Sequence, residues 1–249
     1  MSTSHPTPHA ARSPIVTPEP PPPARAFWFG PPERLAFGSF HAPRGVARGV
    51  GVALCPSLGH ELLSARGAYR QLAARLAAQG FAVLRFDYHG TGDSAGSDDD
   101  PDRVAAWLAT IDDAVGVLRD AGCGRVALFG ARAGAAFAAT AAARRRDVDA
   151  VLLVAPLIAG RAFLPELRAM HDAHDRGRHR RRLQPLRDGD EEALGFVYRR
   201  QTLEALGALD LRALASAPAP RALVIPRDDV AGGEARLAQR FRALGAQVD

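Results

Sequence analysis

No lysine and no asparagine occurs in the 249 residues, so all 32 basic side chains are arginines. Both missing residues use A/T-rich codons, and the alanine- and arginine-heavy usage points to a GC-rich genome before it points to a partner. The formal net charge of +5 is therefore a poor argument for a nucleic-acid ligand, and none is expected. The arginines are scattered, with one dense cluster at Arg176, Arg178, Arg180, Arg181 and Arg182. Two cysteines are too few for a disulfide framework. Cys55 follows one strand-like run and Cys123 precedes another, which puts them at opposite sheet edges, beyond the reach of about 7 Å that a disulfide allows. No apolar run approaches the roughly 18 residues that would cross a bilayer. The N-terminus lacks the basic-then-apolar order of a secretory leader, so a cytoplasmic location is expected.

What is present suits a packed enzyme-like domain. Hydrophobic residues make up 47% and charged residues 24% of the chain, which supports a full core and excludes disorder throughout. Residues 1–26 are rich in proline, serine and threonine and contain the run Pro20-Pro21-Pro22-Pro23. Proline fixes φ and removes backbone donors, so this segment is expected to be a disordered tail. From residue 27 to 249 short apolar runs alternate with helical stretches, the pattern of βαβ units around a parallel sheet. Strands are expected over Val50–Leu54, Phe81–Asp87, Arg125–Phe129, Ala150–Ala155 and Ala222–Ile225, each nearly continuous in apolar residues. An initial antiparallel hairpin is expected between 34–41 and 46–54.

The helices have legible ends. Ala65–Gln79 places Tyr69, Leu72, Ala73 and Leu76 on one face, and Gly80 stops it. Asp100-Pro101-Asp102 reads as an N-cap followed by proline at the first helical position. Ala133–Ala143 is small and apolar nearly all round, as a helix close against a sheet should be. Residues 160–210 interrupt the alternation with a charged, helical stretch and are expected to form a small helical cap. The fold class expected is α/β, a mostly parallel doubly wound sheet.

Ligands of such sheets bind at the carboxyl ends of the strands. That rule selects the loops beginning at Cys55, Asp87, Gly130, Pro156 and Arg227. In the second, Arg85-Phe86-Asp87-Tyr88-His89-Gly90-Thr91-Gly92-Asp93-Ser94 resembles the motif after the fourth strand of the α/β-hydrolase superfamily, particularly its serine aminopeptidase-like branch. Phe129-Gly130-Ala131-Arg132-Ala133-Gly134 falls where that superfamily carries its nucleophile elbow, Gly-x-Ser-x-Gly. Pro56-Ser57-Leu58-Gly59 falls at its oxyanion loop. The resemblance covers residues 34–249 and implies hydrolysis of an ester or amide in a small-molecule substrate, without a cofactor. It also implies oxyanion-type amides at Leu58 and Ala133, with His60 and Glu61 beside them, and the triad acid at Asp228 or its neighbour Asp229. The Gly-x-Arg-x-Gly form, with Ala155–Leu167 and Gly195-Phe196-Val197-Tyr198, is similar to hydrolase-like proteins of exosortase and exopolysaccharide systems.

The elbow departs from this pattern at its tip. Arg132 stands where the serine belongs, and an arginine holds its proton above about pH 12, so it is no nucleophile. The superfamily's base histidine follows its last strand, which Gln247-Val248 would only begin, so strand and histidine are expected to be missing. An open sheet edge of that kind is compatible with a homodimer. Cys55 at a strand end is a candidate thiolate, but reads better as a small core residue. Ser57 reads as the cap of the turn after it, and Ser94 as a support of its own loop. His171, His174 and Asp175, with His179 nearby, have the spacing of metal ligands, but with no third ligand fixed they read as a solvated helix face and no metal is expected. Asp98-Asp99-Asp100 reads as a solvated loop. Two roles remain for Arg132. It can clasp Glu61, Asp228 or Asp229, or it can bind an anionic carboxylate or phosphate ligand beside the Ala133 amide.

Overall fold

The computed structural model describes residues 24–174, 186–227 and 233–249. The expected alternation is present. An antiparallel pair, β1 (Arg25–Phe29) and β2 (Ala36–His41), leads into β3 (Val50–Cys55), helix α1 (Gly59–Ala78), β4 (Ala82–Phe86) and α2 (Arg103–Asp120). Then come β5 (Arg125–Ala131), α3 (Ala133–Arg145), β6 (Ala150–Val154) and α4 (Phe163–His174). A short hairpin, β7 (Glu191–Ala193) and β8 (Phe196–Tyr198), precedes α5 (Arg200–Gly207), β9 (Arg221–Ile225), α6 (Glu234–Ala243) and β10 (Gln247–Val248).

The main sheet has eight strands in the order β1-β2-β4-β3-β5-β6-β9-β10. Pairing is parallel from β4 across to β10, and antiparallel at β1–β2 and β2–β4. β3 and β5 lie at its centre, and residues 51–55 are buried throughout. On one face Trp107, Leu108, Ile111, Val115 and Leu118 of α2 pack with Phe137 and the alanines of α3. On the other, Tyr69, Leu72, Ala73 and Leu76 of α1 cover Val52, Leu54 and Val83, the helical face expected from their spacing.

Five details differ from expectation. The early hairpin joins β1 to β2; β2 pairs with β4, not with β3. Between β4 and β5, β3 is covered by α1 on one face and by α2 on the other, as a strand so continuously apolar requires. Ordered structure begins inside the expected tail, because Arg25 and Ala26 open β1; the remainder of that tail lies outside the described residues. Helix α2 starts at Arg103, with Asp102 at φ +52° before it and no side-chain cap. Asp100, expected as that cap, instead accepts from Ser97 N and Ser97 Oγ and faces His89 Nε2 at 2.8 Å. The final strand, expected to be missing, is begun: Gln247 and Val248 pair with Arg221 and Ala222, and Asp249 N donates to Ala222 O at 3.0 Å. The cap carries the β7–β8 hairpin as well as helices, and its dense arginine cluster lies outside the described residues.

Candidate functional site

The elbow forms where β5 turns into α3. Arg132 adopts φ +55° and ψ −122°, a conformation that costs a side-chain-bearing residue on the order of 1–3 kcal/mol and persists only where its surroundings impose it. Those surroundings are backbone contacts. Arg132 N donates to Val154 O at 3.0 Å, and Leu157 N donates to Arg132 O at 3.1 Å, tying the turn to the end of β6. Both flanking glycines are required by approach. A Cβ on Gly130 would meet the backbone of Gly134, and one on Gly134 would fall 2.5 Å from Pro56 O. Tyr69 pins the other side: its hydroxyl donates to Cys55 O at 3.0 Å and accepts from Ala131 N at 3.1 Å. Nothing in the sequence pattern distinguished Tyr69 from an ordinary member of the apolar face of α1.

The Arg132 side chain turns inward and is held on three sides. Its Nε donates to Glu61 Oε1 at 2.9 Å, its Nη1 to Ala155 O at 3.2 Å, and its Nη2 to Glu166 Oε2. Glu61 belongs to the first turn of α1; Glu166 belongs to α4, in the cap. Glu166 also faces Arg227 Nη1 at 3.4 Å. Sequence reasoning missed Glu166 because nothing in its spacing fixes a partner 34 positions away on another element. Phe163, Leu167 and Met170 of α4 close over the pair together with Leu58, leaving a space of about 10 Å³. That is scarcely room for one water molecule.

The other expected site residues fall as follows. Leu58 is the residue before α1 and Ala133 is the first of α3; both are buried beside the Arg132 turn. His60 lines the same small space, and its ring stands edge-on to His174 at 5.1 Å. Asp228 and Asp229 lie outside the described residues, as do Asp175 and His179. His171 accepts from Leu194 N through Nδ1 at 3.1 Å, so this face of α4 is engaged with the β7–β8 hairpin and is not simply solvated. Among the described residues no three histidine, cysteine or acidic side chains stand together as metal ligands.

The candidate replacements for a nucleophile are engaged elsewhere. Cys55 is fully buried, and burial pushes its thiol well above the ordinary range, which opposes a thiolate. Both cysteines are free. Ser57 does not cap the turn after it; its Oγ donates to Ala131 O at 2.7 Å and is 2% exposed. Ser94 donates to Asp87 O at 2.7 Å and accepts from Phe37 N at 2.8 Å, supporting its loop as expected. The acids after β4 are engaged too: Asp98 pairs with Arg103 at 2.9 Å and Asp99 with Arg199 at 2.7 Å.

The sequence profile of the family described as serine aminopeptidase, S33, matches residues 58–199, more than half of the chain. No curated protein sequence matches it. Among solved structures, the α/β hydrolase GrgF from Penicillium sp. sh18 superposes with a TM-score of 0.63 at 19% identity, covering 91% of this chain and 89% of that one. Est1E from Butyrivibrio proteoclasticus, solved with ferulic acid bound, gives 0.62 at 13% identity, covering 90% and 88%. Alpha/beta hydrolase domain-containing protein 10 from mouse gives 0.55 at 18% identity, covering 91% and 87%. Likeness at these identities establishes the fold, an α/β hydrolase.

Proposed function

Because the chain belongs to the serine aminopeptidase S33 family of α/β hydrolases, yet carries a guanidinium at the tip of its elbow, we propose that it is a non-hydrolytic member whose former reaction centre has become a structural ion pair. The observation that carries this reading is the engagement of Arg132 by Glu61, Glu166 and the Ala155 carbonyl. Acyl transfer in this fold begins with an attack by a nucleophile at that position. Arginine has no lone pair to offer while protonated, as its side chain is throughout the ordinary pH range. The amides of Leu58 and Ala133, in the oxyanion positions that the family resemblance implies, have no nucleophile at the elbow tip to act with. The cap helix α4 fills the space a substrate carbonyl would need.

The same contacts argue against Arg132 as the receptor for an anionic ligand. Its Nε and Nη2 are already spent on two acids and its Nη1 on the Ala155 carbonyl, so an incoming carboxylate or phosphate would have to compete with Glu61 and Glu166 for the guanidinium. Resemblance to the hydrolase-like proteins of exosortase and exopolysaccharide systems fits a role as accessory protein without turnover. The reading is tested with a fluorophosphonate probe and a chromogenic ester on the full chain. No labelling and no hydrolysis above the buffer rate are expected. Stoichiometric labelling at any serine, with matching loss of esterase activity, refutes it.

A further inference from the structure

A second cavity opens on the far side of Leu58. It measures about 210 Å³ and lies between the first turn of α1, the loop after β4 and the β7–β8 hairpin. Two polar side chains on its wall have unspent donors. The Tyr198 hydroxyl, on a residue 4% exposed, has no hydrogen-bond partner among the described residues. Arg103 is also 4% exposed; its Nη2 donates to Gly90 O at 3.1 Å and meets Asp98 at 2.9 Å, but its Nε has no partner among them. Buried donors are nearly always matched, and one left over calls for an explanation. Here two such side chains line one cavity.

We propose that this cavity binds a small aliphatic carboxylate, with one oxygen accepting from the Tyr198 hydroxyl and the other from Arg103 Nε. Charge and shape agree with that class of ligand. The charged residues on the wall are Arg66, Arg103 and Asp98, and Asp98 is already spent on Arg103, so the balance favours a single negative charge. Leu58, Leu62, Trp107 and Phe196 supply an apolar lining for a chain of a few carbons. Leu63, more than half exposed, marks the open side. Gly59 takes φ +55°, and a Cβ there would run into the Tyr198 hydroxyl, so only a glycine leaves room for that group at the cavity wall. The site is separate from the Arg132 pair and holds whether or not the elbow turns over an ester.

The test is a titration of the ¹⁵N-labelled full chain with butyrate. Trp107 lines the cavity and is one of only two tryptophans, so its indole N–H signal, from the group that donates to His89 O at 3.0 Å, reports binding directly. Butyrate should shift that signal saturably, and n-butanol should not. Tyr198→Phe keeps the ring and should weaken butyrate about five- to tenfold while leaving Tm unchanged or raised, since it removes a group with no partner. Leu62→Trp, which narrows the cavity from α1, should also weaken it. The proposal is overturned by the absence of a shift up to about 50 mM butyrate, by equal binding of butanol, or by unchanged affinity in Tyr198→Phe. A fall in the Tm of Tyr198→Phe overturns it as well, since the hydroxyl would then have a partner in the free protein.

Discussion

Replacing Arg132 with methionine removes the cation while keeping an unbranched side chain of similar reach. Glu61 and Glu166, with side chains 21% and 36% exposed, are then left around a space of about 10 Å³. Breaking a fully buried pair costs about 3–5 kcal/mol. Partial exposure lets water reach both acids, which reduces the loss here to about 1–3 kcal/mol. For a chain of this length that corresponds to a fall in Tm of about 3–10 °C. The deficit should narrow in acid. Two carboxylates left without their cation repel one another, and acid removes that repulsion. Arg132→Gly loses the same contacts but relaxes the positive φ, so it should be less damaging than Arg132→Met by about 1 kcal/mol. Melts followed by circular dichroism at pH 8 and pH 4.5 read all three chains, and a double-mutant cycle with Glu61→Gln should return about 1–2 kcal/mol of coupling. If Arg132→Met stays within about 0.5 kcal/mol of the parent and shows no narrowing in acid, the guanidinium spends its time in solvent and the sealed elbow is wrong.

The packing at the elbow makes a second prediction. Gly134→Ala forces a methyl against Pro56 O and Cys55 O; backbone on both sides cannot give way, so a loss of at least about 3 kcal/mol is expected in urea unfolding, and a neutral result contradicts the described approach of α3 to β3. Thiol chemistry makes a third. Cys55 and Cys123 are both buried and burial raises both thiols, so iodoacetamide at pH 8 should leave the folded chain unmodified and alkylate both sites after denaturation; rapid native labelling of Cys55 would reopen it as a nucleophile.

The parts legible in the sequence are those governed by local pattern. The continuous apolar runs located the five central strands to within a residue or two, because strands covered on both faces have little choice of composition. Gly130 and Gly134 located the elbow, because only glycine lets the backbones of β5, α3 and the β3 loop meet. The pairing of β2 with β4 was not legible, since adjacency in the chain favours a hairpin and nothing local to β2 or β3 marks which strand β2 joins. At the site, Arg132 and Glu61 were visible as candidates because both sit at the start of helices that follow central strands. Glu166 was not, since its carboxylate reaches Arg132 only after the cap has folded back across the sheet. Tyr198 and Arg103 were hidden for the same reason, being placed by the β7–β8 hairpin against the first turn of α2.

The Glu166 carboxylate serves two guanidiniums at once, Arg132 at the end of β5 and Arg227 just past the end of β9. Lifting α4 away would therefore break a contact to each of two guanidiniums at once, leaving Arg132 its bond to Glu61 on the body. Closure is thus self-restoring, with a pull that added electrolyte weakens because these groups are only partly shielded from solvent. Ionic strength, rather than temperature, is the natural variable for loosening this lid.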